Sequence, residues 1–367
     1  MNEPKKLGFG LMRLPKKLTG IDIEQVKEMV DLFMDAGFTY FDTAYIYPGS
    51  ESAAKKALVS RYPRESYTLA TKINAAIPGL TEKMVKNQFE TSLKRTGAGY
   101  FDYYLLHTLM DRNVRKYDRF DLWAFAKQKK AQGLIRNYGF SFHDGPELLD
   151  RLLTEHPDVD FVQLQINYAD WENEKIASRR NYEVARAHGK QIVVMEPVKG
   201  GKLADPPEAV KTLMKAYAPD ASFASWAIRF VASLDGILSV LSGMSNVAQM
   251  KDNLSYMQDF KPLNTEERAI IRKAQEIYKQ SAAIPCTGCG YCKAGCPKGI
   301  AIPDVLETLN LHLVSGQTAE GRDAYKRLLS AGASPASACI GCKKCEGTCP
   351  QHIAITDALR QAADLYE

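Results

Sequence analysis

Eight cysteines lie in this chain of 367 residues, and none precedes Cys286. They fall in two runs, Cys286-x2-Cys289-x2-Cys292-x3-Cys296-Pro297 and Cys339-x2-Cys342-x2-Cys345-x3-Cys349-Pro350. Each cysteine of the second run stands 53 residues after its counterpart, 286 to 339 and 296 to 349, so the segment is an internal duplication. Three thiolates at this spacing let one short loop wrap three corners of a cubane [4Fe–4S] cluster. Gly288, Gly290 and Gly341 let that loop turn tightly and aim N–H groups at the sulfides. Zinc ribbons also use paired C-x2-C units, but a 3+1 spacing with a trailing proline, twice over, fits iron–sulfur ligation better. Disulfide scaffolds spread their cysteines through the fold they staple. Thiols gathered in one tail point instead to metal binding in a reduced, cytoplasmic compartment.

The duplicated runs resemble those of two-cluster ferredoxins, in which the fourth cysteine of each run ligates the other cluster. That resemblance implies one cluster on Cys286, Cys289, Cys292 and Cys349, and a second on Cys339, Cys342, Cys345 and Cys296. About forty residues part the two runs, and they read as helical. Val305, Leu306, Leu309, Leu311 and Leu313 lie before Ser315-Gly316, and Tyr325, Leu328 and Leu329 after it. Residues 282–367 therefore resemble the all-helical two-cluster modules found fused to larger redox enzymes.

A second constellation precedes the cysteines. Asp42, Lys72 and His107 each close a short β-like run, and Tyr47 follows Asp42 by five residues. Hydride delivery to a carbonyl carbon leaves negative charge on oxygen, which must be protonated as it forms. A phenol of pKa ~10 is a poor acid at neutral pH unless its anion is stabilised. An adjacent lysine ammonium lowers that pKa, and an aspartate buried with the lysine keeps it charged and aimed. An imidazole can donate a hydrogen bond to the same oxygen. On this logic Tyr47 is the acid, Lys72 its activator, Asp42 the lysine's partner and His107 the orienting donor. Singly, each has a plainer reading: a structural ion pair for Lys72 and Asp42, a loop cap for Tyr47, a satisfied core histidine for His107; and Tyr45 competes with Tyr47 as the phenol.

The elements that must position these residues alternate short strands with amphipathic helices, the signature of repeated βα units. Strand candidates are Leu7–Leu11, 39–42, 67–72, 103–107, 137–141, 161–166, 191–196 and Ile237–Ser242, eight in all, as a closed barrel requires. Helix starts are expected at Asp22-x-x-Gln25, Asp144-x-x-Glu147 and Asn264-x-x-Glu267. The run Gly8-Phe9-Gly10-Leu11-Met12-Arg13 lacks the Gly-x-Gly-x-x-Gly of a doubly wound dinucleotide fold. The expected architecture is an α/β TIM (β/α)8 barrel over residues 1–281, followed by a smaller, mainly helical domain over 282–367.

Phe41-Asp42-Thr43-Ala44-x2-Tyr47, Thr71-Lys72 and Leu105-Leu106-His107 together resemble the catalytic tetrad of the aldo-keto reductase superfamily, and the likeness runs in order to about residue 260. It implies a nicotinamide against Ser141, Gln165 and Met195, with Pro197, Val198, Gly201 and Leu203 beneath the pyrophosphate. Gly243, Ser245, Gln249 and Asn253 then match the adenosine end. Many members stack an aromatic ring where this chain has Met195, and many place an arginine for the 2′-phosphate where it has Gln249. A thioether still packs on the ring, whereas an amide cannot neutralise a phosphate. NAD and NADP both stay open as NAD(P)(H).

A net charge of +5 without a dense basic block gives nucleic-acid binding no support. No apolar run of ~18 residues suggests a membrane span, and no h-region suggests a secretory signal. Nicotinamide moves two electrons and a cluster usually one, so coupling them needs a stepwise acceptor. A flavin would serve, and a barrel mouth can bind one without a short motif. The leading reading is an NAD(P)(H)-dependent carbonyl or alcohol oxidoreductase coupled to two [4Fe–4S] clusters, with a small-molecule substrate and an electron-transfer protein partner. The alternatives are a ferredoxin-fed reductase with a weak nicotinamide site, and a reductase whose cluster domain serves only structure or docking. Trp123, Tyr117, Phe142, His143 and Trp171 are candidates for the substrate pocket.

Overall fold

A computed structural model describes residues 5–281 and 283–367. Met1–Pro4 and Ala282, where the second domain was expected to begin, lie outside the described residues. The chain divides into two compact units, one of Met1–Val198 with Leu203–Arg272 and one of Lys199–Lys202 with Lys273–Glu367.

The first unit is a closed barrel of eight parallel strands. They are β1 Leu7–Gly10, β2 Tyr40–Asp42, β3 Thr68–Ile73, β4 Phe101–Leu109, β5 Ile135–Phe142, β6 Phe161–Gln165, β7 Gln191–Met195 and β8 Ile237–Ser242. Each pairs with its neighbour in sequence, and β1 closes on β8 through Leu7 opposite Val240. The eight runs expected from sequence are these strands, shifted by a residue or two at their ends.

Side chains alternate across a strand with period two. Tyr40, Ala70, Leu105, Phe161, Val193 and Leu241 form one packed cluster. Two residues further along their strands stand Asp42, Lys72, His107, Gln163 and Met195, so these share the orientation of that layer nearer the C-terminal end. Gly139 leaves room for the layer: a Cβ there would come within 2.2 Å of the Phe161 carbonyl oxygen.

The helices cover this barrel with apolar faces. Helix Ile23–Asp35 buries Val26, Met29, Val30 and Phe33, and the Asp22 carboxylate accepts from Gln25 N at 3.4 Å. Fully burying such a side chain stabilises by about 1.5–3 kcal/mol. Helix Thr265–Lys279 opens with a reciprocal pair, Glu267 N donating to Asn264 Oδ1 and Asn264 N to Glu267 Oε2. The Asp144 expectation fails in detail. Helix Pro146–Glu155 is capped by Gly145 with Pro146 in its first turn, while Asp144 accepts from Asp111 N and Gly145 N. Proline's fixed φ suits the first helical position, so it sets the start.

The second unit packs helices Ile302–Ser315, Thr318–Ser330 and Ile355–Tyr366 around Val305, Leu306, Leu309, Tyr325, Ile355 and Leu359. Gly316, between the two apolar stretches, terminates the first of these helices in the left-handed conformation at φ 67. No helix among the described residues is long and apolar enough to cross a membrane.

Candidate functional site

At the C-terminal end of the strands, β2 delivers Asp42, β3 Lys72 and β4 His107. The Lys72 ammonium donates to Asp42 Oδ1 at 2.5 Å and to the Thr43 carbonyl at 2.7 Å. Both side chains are almost wholly buried, at 1% and 5% exposure. Burial pushes the Asp42 carboxyl up and the Lys72 ammonium down, and their attraction resists both shifts. Lys72 Nζ lies 5.2 Å from the centre of the half-buried Tyr47 ring. The Tyr47 ring meets that of His107 edge-on, with centroids 5.8 Å apart. Burial, then the Lys72 charge and His143, hold the His107 imidazole well below its usual value, so it is neutral at neutral pH. The four residues expected from sequence are thus brought together.

Tyr45, the rival phenol, is held elsewhere. The Arg95 guanidinium lies over its ring at 4.6 Å and donates to its carbonyl, and Arg95 also pairs with the buried Glu51. The loop carrying Tyr47 is pinned in turn. Thr43 Oγ and Ser50 Oγ lie 2.6 Å apart, and Ser50 donates to the Leu11 carbonyl.

Beyond His107 the strand is irregular. Thr108 has φ 61, and the β4–β5 register slips between Leu106 and Leu109. This conformation costs energy in a non-glycine residue and persists where neighbours over-determine it. Here Thr108 N donates to Ser141 Oγ at 2.7 Å and Asn113 Nδ2 to the Thr108 carbonyl at 2.7 Å. The Tyr117 hydroxyl donates to the His107 carbonyl and accepts from Ala75 N. Tyr117 is fully buried, so it positions the backbone of His107 and does not line a substrate pocket. Trp123 also departs from that expectation, stacking on His156 at 3.8 Å and donating to Asp118. Phe142 is buried; His143 and Trp171 are half-buried. Glu51, Asn113 and the Tyr117 hydroxyl contact were not singled out from sequence. A buried glutamate or a helix-start asparagine carries no spacing signal of its own.

The residues expected to hold a dinucleotide are spread over later strand ends. Ser141 and Gln165 are buried, and Gln165 pairs in register with the half-buried Met195. This hydroxyl, amide and thioether set offers hydrogen-bond partners for a carboxamide and a polarisable surface for a ring, which a nicotinamide would use. Pro197 and Leu203 are buried, Val198 is half-buried, and Gly201 falls in the stretch Lys199–Lys202 that groups with the second unit. Gly243 is exposed and Ser245 half-buried. Gln249 accepts from Ser245 N at 2.7 Å, while Asn253 is buried and donates to Ser242 Oγ.

In the second unit one small cavity is lined by Cys296, Cys339, Cys342 and Cys345. Burial raises the Cys292 thiol to about 12, with further push from Cys289, Cys286 and Cys349. One cavity thus brings Cys296 to Cys339, Cys342 and Cys345, and Cys349 lies near enough to Cys286 and Cys292 to act on them through charge. Gly288, Gly290 and Gly341 all adopt left-handed backbone, at φ 65, 78 and 67. Gly288 N donates to Cys286 Sγ at 3.4 Å, so the loop aims an amide at sulfur. A soft, four-sulfur donor set on such turns fits a cubane cluster.

Comparison with known proteins agrees with these two centres. Residues 285–355 match the 4Fe-4S dicluster domain, and residues 6–276 the aldo/keto reductase family. An aldo-keto reductase of Mycolicibacterium smegmatis is 29% identical over 42% of this chain and 51% of its own. Aldo-keto reductase str7 of Strobilurus tenacellus is 30% identical over 54% and 59%. The chain spans about half the length of these curated relatives. Among solved structures, a holo-form aldo-keto reductase of Bacillus halodurans is 25% identical, with TM-score 0.59 over 73% of this chain and 91% of that one. One from Klebsiella pneumoniae, in complex with NADP and acetate, shares the fold at 20% identity and TM-score 0.60 over 75% and 96%. The chain belongs to the aldo/keto reductase family and carries a 4Fe-4S dicluster domain C-terminal to its barrel.

Proposed function

We propose that the barrel reduces carbonyl compounds or oxidises alcohols with NAD(P)(H), and that the C-terminal unit holds two [4Fe–4S] clusters that exchange electrons with a protein partner. The reading rests on one observation above all. A lysine ammonium, buried against its own carboxylate, lies under a half-buried tyrosine ring that also touches a neutral histidine. When bound, a nicotinamide dinucleotide supplies or accepts the hydride and the clusters pass single electrons.

The protein's own part is to move a proton and stabilise charge. Tyr47 gives its hydroxyl proton to the carbonyl oxygen as charge develops there, and Lys72 stabilises the phenolate left behind. Asp42 keeps Lys72 charged despite its burial. His107, neutral, donates an N–H to the same oxygen and fixes the carbonyl's orientation. Ser141, Gln165 and Met195 would hold the nicotinamide, with Pro197, Val198, Gly201, Leu203, Gly243, Ser245, Gln249 and Asn253 along the rest of the dinucleotide. Cys286, Cys289, Cys292 and Cys349 would ligate one cluster, and Cys339, Cys342, Cys345 and Cys296 the other.

Tyr47→Phe removes the proposed acid with little change of volume. NAD(P)H-dependent reduction of a model aldehyde should fall by about 10²-fold or more. A full rate in this variant would remove the tetrad from the mechanism.

A further inference from the structure

The two cysteine quartets are not equally accessible. Cys342 alone among the eight cysteines is exposed, while Cys292, Cys345 and Cys349 are buried and the rest half-buried. Around it Ile340, Gly341, Cys342, Lys343 and Lys344 form five consecutive exposed residues, and Pro297, Lys298 and Gly299 are exposed as well. Lys298, Ile340 and Lys343 line the same cavity as Cys296, Cys339, Cys342 and Cys345. Ile340 is 60% exposed, a large apolar side chain in water beside a proposed cluster loop.

Charge is concentrated at the same place. The segments 286–298 and 339–350 hold Lys293, Lys298, Lys343 and Lys344 against a single acid, Glu346. Glu346 is turned inward, accepting from Thr356 N and Thr356 Oγ at 2.9 and 2.6 Å. Lys293 pairs with Asp304, which leaves Lys298, Lys343 and Lys344 as exposed cations outside any ion pair among the described residues. Elsewhere in 283–367 the balance reverses, with seven acidic residues against four basic.

From this juxtaposition we infer that the exposed rim formed by Lys298, Ile340, Lys343 and Lys344 is the docking surface for an acidic one-electron carrier protein. The inference rests on the reading that Cys296, Cys339, Cys342 and Cys345 hold a cluster. The lysines steer a negatively charged partner, and Ile340 supplies the apolar contact that lets it settle over the exposed Cys342 side of the quartet. One electron crosses: the carrier loses it and the cluster gains it, or the reverse, and neither proton nor group moves.

The probe is a small acidic two-cluster ferredoxin, titrated by calorimetry against the anoxic, iron-loaded full chain. Affinity should drop at least tenfold between about 20 and about 500 mM NaCl, because exposed charges are screened over that range. The triple variant Lys298→Glu/Lys343→Glu/Lys344→Glu should lose binding at least tenfold at low salt, whereas Lys326→Glu, on helix Thr318–Ser330, should not. Ile340→Ser should weaken binding without changing its salt slope. Iron content and the EPR signal of each variant separate the two readings: a colourless, iron-free wild type fails the cluster assignment, while a loaded protein that ignores the ferredoxin fails only the docking surface. If the triple variant loads no iron, Lys344→Gln replaces it, with weakened binding again the supporting result. No detectable binding at low salt overturns the inference, as does a salt-independent affinity. Equal binding of a single-stranded oligonucleotide at the same residues also overturns it, since the surface would then be a general polyanion site.

Discussion

Asp42 and Lys72 show how a buried charge pair serves two ends at once. Removing one partner of such a pair costs about 3–5 kcal/mol, because the other charge is left uncompensated. Lys72→Met should therefore destabilise the barrel, and the pH dependence identifies the cause. In the variant the Asp42 carboxyl, already above its ordinary 3.8 through burial, rises further. Above pH 3.8 the unfolded chain releases that proton while the folded protein keeps it, so the unfolded state binds fewer protons and stability falls as pH rises. The melting-temperature gap from wild type should thus widen between about pH 5 and about pH 8, and Asp42→Asn in the same chain should narrow it. A gap constant with pH would mean that Asp42 is not the stranded charge. Asp42, Lys72 and His107 were legible in the sequence because a charged or imidazole side chain is unusual near the close of an apolar strand, and Tyr47 through its fixed spacing from Asp42. Tyr45 could be set aside only in three dimensions, since Arg95 holds it from 50 residues away.

At the scale of elements, the strands were legible because each is a short apolar run with turn residues at both ends. Helix Pro146–Glu155 shows where local reading stops: two start signals overlap, and proline outranks the aspartate before it. The kink after His107 was not legible at all. Its supports come from Ser141, Asn113 and Tyr117, on other elements, and nothing near Thr108 announces a positive φ. The kink matters because Tyr117 fixes the backbone of the proposed orienting residue His107. Tyr117→Phe keeps the ring and deletes one donor to the His107 carbonyl and one acceptor from Ala75 N, leaving buried groups unpaired at about 1–3 kcal/mol. If His107 orients the carbonyl as proposed, small misplacement should lower kcat by about tenfold with KM changed less. The pH–rate profile should keep its shape, since the acid is untouched. An unchanged kcat would show that the tyrosine supports folding alone.

On the scale of the whole molecule, the chain puts its two chemistries in separate compact units, each with its own core. In the second unit, sequence spacing fixed which residues could ligate, and duplication suggested how many sites. Whether the runs exchange their fourth cysteines is a matter of folding, because spacing alone does not say which cysteines of the two runs meet. The cavity lined by Cys296, Cys339, Cys342 and Cys345 and the electrostatic influence of Cys349 on Cys292 are what support a crossed assignment. If the quartets are crossed in this way, Cys296→Ala and Cys339→Ala each remove a ligand from the same cluster, although 43 positions separate them in sequence. Their anoxic EPR spectra after dithionite should then retain the same residual signal, and Cys286→Ala and Cys349→Ala should share the complementary one. An uncrossed arrangement would instead make Cys296→Ala match Cys286→Ala. Melting of the barrel should be unmoved in all four variants, because its core contains none of these thiols, while the transition of the C-terminal unit, whose core includes Cys292, Cys345 and Cys349, should fall.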